Sequence, residues 1–270
     1  MLTIIRTYAI VLLLSITNVF SQELVINNNV FSNGETLIYK VKWTFIRLGT
    51  ITIKTLADQS DSNLIKVSML VESNPTLFFI NINEYNETII DKKTCTSRFY
   101  YGDFKDGSER SIINSSYDEE TSKSIFSLFD NVRKRKIKSD TIYNSPKYVD
   151  GPSLFFFTRV FSRSRITHNL PTMVDGKIEN TKLIFTNDSK VFEVDAFQNP
   201  VTANKYYGIA EWEGGTSQGL SGEFTGWISD DDAAIPIYAE LKVLLGKLKI
   251  ELEHCSRNEH RYNAEKISNK

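Results

Sequence analysis

Three consecutive carboxylates, Asp230, Asp231 and Asp232, are the densest chemistry-bearing cluster in this sequence of 270 residues. Paired carboxylates can do acid–base work or hold calcium. Consecutive residues in a turn point in different directions, however, and no glycine-spaced ligand loop surrounds these. Their expected task is to start the turn by accepting from backbone amides. Glu211 and Glu213 are the other carboxylates an enzyme acting on glycan or lipid could use. His168 has no G-x-S-x-G elbow or reactive-cysteine motif to serve, which argues against a serine or cysteine hydrolase. His254, Cys255 and His260 lie close together, but one cysteine without a second cluster makes a poor zinc site, and no metal or cofactor is expected.

The best candidates for ligand contact come from a helical segment. Asp150 is a good N-cap and Pro152 suits the first turn, so a helix is expected over 152–162. Leu154, Phe156, Phe157, Val160 and Phe161 fall within one arc, which should plug a sheet or barrel end. Phe155 lands instead beside Arg159 and Arg163, with Arg159 one turn away where its guanidinium could lie over the ring. That outward group is either a second packing contact or the lip of a site for an anionic head group. Trp227 has the same two readings, since tryptophan stacks on sugar as readily as it fills a core.

The segments that would position these residues read as strands. Leu37, Tyr39, Val41, Trp43 and Phe45 alternate with polar residues, a turn is expected at 47–49, and the rhythm resumes through Ile51 and Ile53 and then Ile65, Val67 and Met69. This period of two describes an antiparallel meander. Further strands are expected at 85–90, 97–101, 110–115 and 123–129, and again from residue 182 onward. Near the end, Ile235, Ile237, Ala239, Leu241 and Val243 should face inward, as should Leu248, Ile250 and Leu252. The apolar run at 77–82 could be a short helix or a buried connection. The basic run at 133–138 reads as a solvated strand edge or loop, with contact to acidic lipid or glycan as the alternative.

Composition narrows the partners. Lys and Arg number 32 against 33 Asp and Glu, with a pI near 6.4, which argues against nucleic acid. Residues 1–21 read as a cleavable export signal: Arg6, a short apolar core, polar breakers, then small residues before Gln22. The core is too short to span a bilayer, so no transmembrane segment is expected after cleavage. No cysteine near the cut offers a lipid attachment point, so the expected location is periplasmic or secreted, not lipid-anchored. Cys95 and Cys255, the only cysteines, could form a disulfide in an oxidising compartment, but sequence leaves that open. One domain over 22–255 and a polar tail over 256–270 complete the expectation.

Three stretches carry a resemblance. GEFTGWISDDDAAIPIYAELKVLLGKLKIEL is similar to the closing motif of the exported bacterial family known as domain of unknown function 3108. FSNGETLIYKVKW with Leu48-Gly49 resembles its opening strand pair, and DGPSLFFFTRV resembles its central helix. The resemblance implies an all-β, antiparallel, partly open barrel carrying one helix, exported to the envelope, with no established activity; residues 117–144 provide no anchor. The expected function is a non-enzymatic envelope module that holds a lipid, another amphiphile or a polysaccharide. An envelope enzyme working through carboxylates and a structural or assembly factor are the alternatives.

Overall fold

The computed structural model describes residues 28–58, 61–78, 80–212, 222–243 and 246–257. The expected signal at 1–21, nearly all of the 256–270 tail, His260 and Glu213 lie outside them. The strands are β1 (Thr36–Trp43), β2 (Ile46–Ala57), β3 (Leu64–Ser73), β4 (Ile82–Asp91), β5 (Thr96–Asp106), β6 (Glu109–Asp118), β7 (Lys123–Asp130) and β8 (Arg135–Ile142). The helix α1 (Gly151–Val160) follows, then β9 (Thr167–Val174), β10 (Lys177–Phe192), β11 (Val201–Glu211), β12 (Gly222–Ser229), β13 (Pro236–Val243) and β14 (Gly246–Ser256).

All fourteen strands form one antiparallel sheet in the order β8 back to β1, then β14 back to β9. The first and last strands pair, from Thr36 opposite Ser256 to Trp43 opposite Leu248, which leaves β8 and β9 as the two edges. The sheet is an open half-barrel wrapped around α1. The basic run supplies the start of edge strand β8, where charge discourages pairing with another chain.

Between the edges the chain crosses inside the curl. Tyr148 O accepts from Ser97 N at 2.9 Å, Val149 N donates to Pro171 O at 2.9 Å, and Met173 N donates to Val149 O at 2.9 Å. Val149 thereby forms a parallel bridge with Thr172. At Asp150 the carboxylate takes the amide of Ser153 while the Ser153 hydroxyl takes the amide of Asp150, a reciprocal cap that starts α1.

Local departures from expectation have identifiable causes. The β1–β2 turn is Thr44–Phe45, with Thr44 at φ 54, not residues 47–49. The register shifts between Val41 and Lys42, so Leu48 is absorbed as a bulge and Gly49 stays within β2. There a Cβ would stand 2.2 Å from Glu72 O, so only glycine allows β2 and β3 to approach this closely. The run at 77–82 is neither helix nor buried connection: Leu77 and Ile80 are half-buried, Phe78 is 98% exposed, and Ile82 begins β4.

Candidate functional site

Antiparallel order places the β2–β3, β4–β5, β6–β7 and β12–β13 turns at the α1 end of the half-barrel, and the β1–β2, β3–β4, β5–β6, β7–β8, β9–β10 and β13–β14 turns at the far end. The two ends are built differently.

At the α1 end the interior is sealed by an ion pair. Arg159 is 0% exposed; its Nη1 donates to Glu35 Oε1 at 2.6 Å and its Nη2 to Glu35 Oε2 at 3.0 Å. The remaining guanidinium donors reach Ala234 O at 3.1 Å and Ala233 O at 3.0 Å. Arg257 Nη1 approaches Glu35 Oε2 at 3.4 Å. One side chain therefore joins the helix, the entry to β1 and the β12–β13 turn, with its charge and its planar donors matched. Burial pushes the nearby Tyr39 phenol well above its ordinary range; its hydroxyl has no hydrogen-bond partner among the described residues. Burial also raises the Cys255 thiol to about 11.

These contacts correct the expectation for the helix. Arg159 does lie over Phe155, 5.8 Å from its centroid, and over Phe156 at 4.9 Å, but inside the core and not at a lip. The helical wheel failed because Glu35, just before β1, and the β12–β13 turn cover the face of α1 that carries Arg159. Phe155 is half-buried and meets Tyr39 edge-on at 6.1 Å. Arg163 is exposed and pairs with Asp232 at 3.1 Å and Asp230 at 3.5 Å. Trp227 is half-buried in an aromatic trio with Phe192 and Tyr238, at 5.5 Å and 5.4 Å. The structure therefore does not gather Phe155, Arg159, Arg163 and Trp227 around one opening.

The remaining sequence candidates have structural occupations. Asp231 Oδ1 accepts from the amides of Ala233 at 2.8 Å and Ala234 at 2.9 Å, the turn-starting role expected of it. Glu211 accepts from Asn180 Nδ2 at 2.6 Å. His168 lies in β9 against Phe157, Phe161 and Phe185, and burial lowers its pKa. Cys95 and Cys255 are free thiols in separate apolar clusters. His254 is exposed beside Cys255, and no metal-binding group of His, Cys, Asp and Glu occurs among the described residues.

Sequence reasoning missed buried polar side chains on β4–β7, and again on β9 and β10. Thr88 donates to Asp150 Oδ2 at 2.6 Å and lies 3.2 Å from Ser97 Oγ. Ser124 donates to Ser145 Oγ at 2.6 Å, and Thr172 meets Thr181 at 2.7 Å. Tyr148 Oη and Ser115 Oγ are buried without a well-aligned partner, and burial pushes the Tyr148 phenol up to about 12. Small hydroxyls carry no apolar period, so only alternation with buried neighbours, as in Thr88 and Ile90, could have revealed them.

The far end shows the opposite condition. On β1, β2, β3 and β14, Leu37, Tyr39, Ile53, Val67 and Leu252 are buried to 3% exposure or less. The next residues along the same face, Val41, Trp43, Ile51, Met69, Leu248 and Ile250, are only half-buried. An apolar lining thus begins sealed against α1 and becomes accessible toward the far end. Beside it, a cleft of about 710 Å³ lies between the β1–β2 and β3–β4 connections, lined by Arg47, Glu72, Leu77, Phe78 and Ile80 among others.

One solved structure, a β-barrel-like protein, agrees with this architecture. The profile of DUF3108, a protein of unknown function, matches residues 38–253; the chain belongs to that family. The fold resembles the β-barrel-like protein of domain of unknown function DUF1849 from Brucella abortus, at 7% identity and TM-score 0.57, covering 84% of this chain and 98% of that one. A candidate exported protein with YmcC-like fold from Bacteroides fragilis matches at 8% identity and TM-score 0.32, covering 83% of this chain and 96% of its own. A candidate lipoprotein from Parabacteroides distasonis matches at 9% identity and TM-score 0.32, covering 84% and 96% respectively. A comparison with curated proteins finds no match. No helix among the described residues is long and apolar enough to cross a membrane.

Proposed function

We propose that this chain is an exported envelope protein that holds an amphiphile and performs no chemistry on it. The observation that carries the reading is the graded lining: one continuous apolar face is closed at α1 and reachable by solvent at Val41, Trp43, Ile51, Met69, Leu248 and Ile250. An acyl chain laid along it would remove that surface from water, at about 25 cal/mol per Å² of apolar area. Phe155, half-buried against Tyr39, stands where the lining meets the helix and would meet the end of the chain. The leader at 1–21 supports export. The site differs from a lip at Arg159, because a guanidinium already satisfied by Glu35 and two carbonyls has no donor to offer a head group.

Trp43 provides the test. A fatty acid brominated along its chain quenches tryptophan only on contact, so it should dim the wild-type protein, and Trp43→Phe should abolish most of the effect. Trp212 and Trp227 serve as internal controls. Absence of quenching, together with no acyl mass on natively extracted protein, would overturn the reading.

A further inference from the structure

The two ends of the half-barrel also differ in charge and in what their turns display. The α1 end carries Asp58 and Asp61 after β2, Asp118, Glu119 and Glu120 after β6, and Asp230, Asp231 and Asp232 after β12, against Lys92 and Lys93 after β4. The far end carries Arg133, Lys134, Arg135 and Lys136 around the β7–β8 turn, and Lys242 directly opposite Lys247 at the mouth of the β13–β14 hairpin. Four carboxylates at this end sit against cations: Glu109 and Asp130 lie 3.0 Å and 2.9 Å from Arg133, Glu240 lies 2.7 Å from Lys247, and Glu223 lies 3.7 Å from Lys242. Lys134, Lys136 and Lys249 have no ion pair among the described residues.

The same end holds the two most exposed large apolar side chains described, Phe78 and Phe45. Phe78 is 98% exposed, Phe45 is 90% exposed and Val132 is 51% exposed, each in a turn or connection. Asn74 ties the first two sites together, donating from its amide to Leu48 O at 2.6 Å and from Nδ2 to Arg47 O at 3.1 Å. Folding gives no reason for a phenyl ring at Phe45. Tight turns favour Gly, Asn and Asp, and the ring buries nothing. Phe78 borders the cleft described above, but a ring 98% exposed is not enclosed by it. Apolar tips set among cations suit a soft apolar phase behind a negatively charged face.

We propose that this far end docks on the surface of an anionic lipid bilayer. Phe45 and Phe78 enter the head-group region, while Lys134, Lys136 and their neighbours meet lipid phosphates. The acidic α1 end then faces away, so charge alone sets the orientation. Acyl capture within the lining is a separate matter, since a soluble fatty acid needs no bilayer.

Mature protein is spun with vesicles of phosphatidylcholine alone, and with vesicles that also contain phosphatidylglycerol. The wild type should sediment with the second kind, less so as salt rises. Phe45→Ser and Phe78→Ser should each weaken binding roughly tenfold, and K134E with K136E should remove the preference for the anionic vesicles. Leu56→Ser, an exposed change in β2 near the α1 end, should alter nothing. Both phenylalanines are exposed, so unchanged melting of each single variant checks that the fold is kept. Wild type left in the supernatant with both vesicle kinds, or serine variants that bind as wild type does, would overturn the proposal. So would self-association of the wild type that the serine variants lose, which would assign the surface to a second copy. None of these outcomes touches the Trp43 quenching result.

Discussion

The sealed and accessible ends of the half-barrel share strands, so what separates them is the material packed against each face. Near α1, Leu37, Tyr39 and Leu252 share a buried cluster with Phe156; two strand positions later the same face is only half-buried. Within one continuous period of two, burial is decided by what lies opposite and not by residue type. Stability and solvent access can thus be assigned to different stretches of the same strands.

The comparison is most easily broken at Arg159. Arg159→Met strands the Glu35 carboxylate in the core and should cost about 3–5 kcal/mol in a urea melt. Adding Glu35→Gln should recover part of that loss. A loss no larger than for exposed Arg163→Ala, expected within about 1 kcal/mol, would show that the ion pair does not seal this end. Next in size is a pair along β14. Leu252→Ala should cost about 2–5 kcal/mol, whereas half-buried Ile250→Ala should cost about 1–2 kcal/mol. Equal losses would remove the gradient. Thr88→Val, which deletes the hydroxyl given to Asp150, should cost about 1–3 kcal/mol by leaving a buried acceptor short of a donor.

The smallest effect is a pH dependence. Burial lowers the His168 pKa in the folded protein, so between the folded and unfolded values the unfolded chain binds more protons. Stability from this residue is complete above the ordinary value of about 6.5 and declines as pH falls below it. Urea midpoints for wild type and His168→Gln should therefore diverge less in mild acid than at neutral pH.

Much of this architecture was legible where side chains alternate sharply. The β1–β3 meander, the inward sets on β13 and β14, the cap at Asp150 and the turn-building role of Asp231 followed from spacing alone. Strand β8 was legible only as a strand edge or loop, because its alternation is of charge, not hydrophobicity, and β9 was hidden because its inward set mixes Leu170 and Val174 with Thr172. Arg159 was misplaced because a charged residue on a short helix is assigned to water by default. Its partner, Glu35, lies 124 positions away, beyond the reach of any local pattern. The accessible end was invisible for a related reason: Val41 and Tyr39 look alike until the helix covers one and not the other.

The pairing of β1 with β14 also shapes how the molecule must assemble. A chain emerging from its N-terminus can zip β1 through β8 into a meander from neighbour contacts alone. Its opening strand, however, keeps a bare ladder of amides and carbonyls until the last dozen residues of the sheet arrive. Closing that seam joins partners some two hundred positions apart, from Thr36 with Ser256 to Trp43 with Leu248. Such a connection is slow to form because so long a loop must be closed first. Completion therefore waits for β14, and the seam along β1 stays open until that strand has been made.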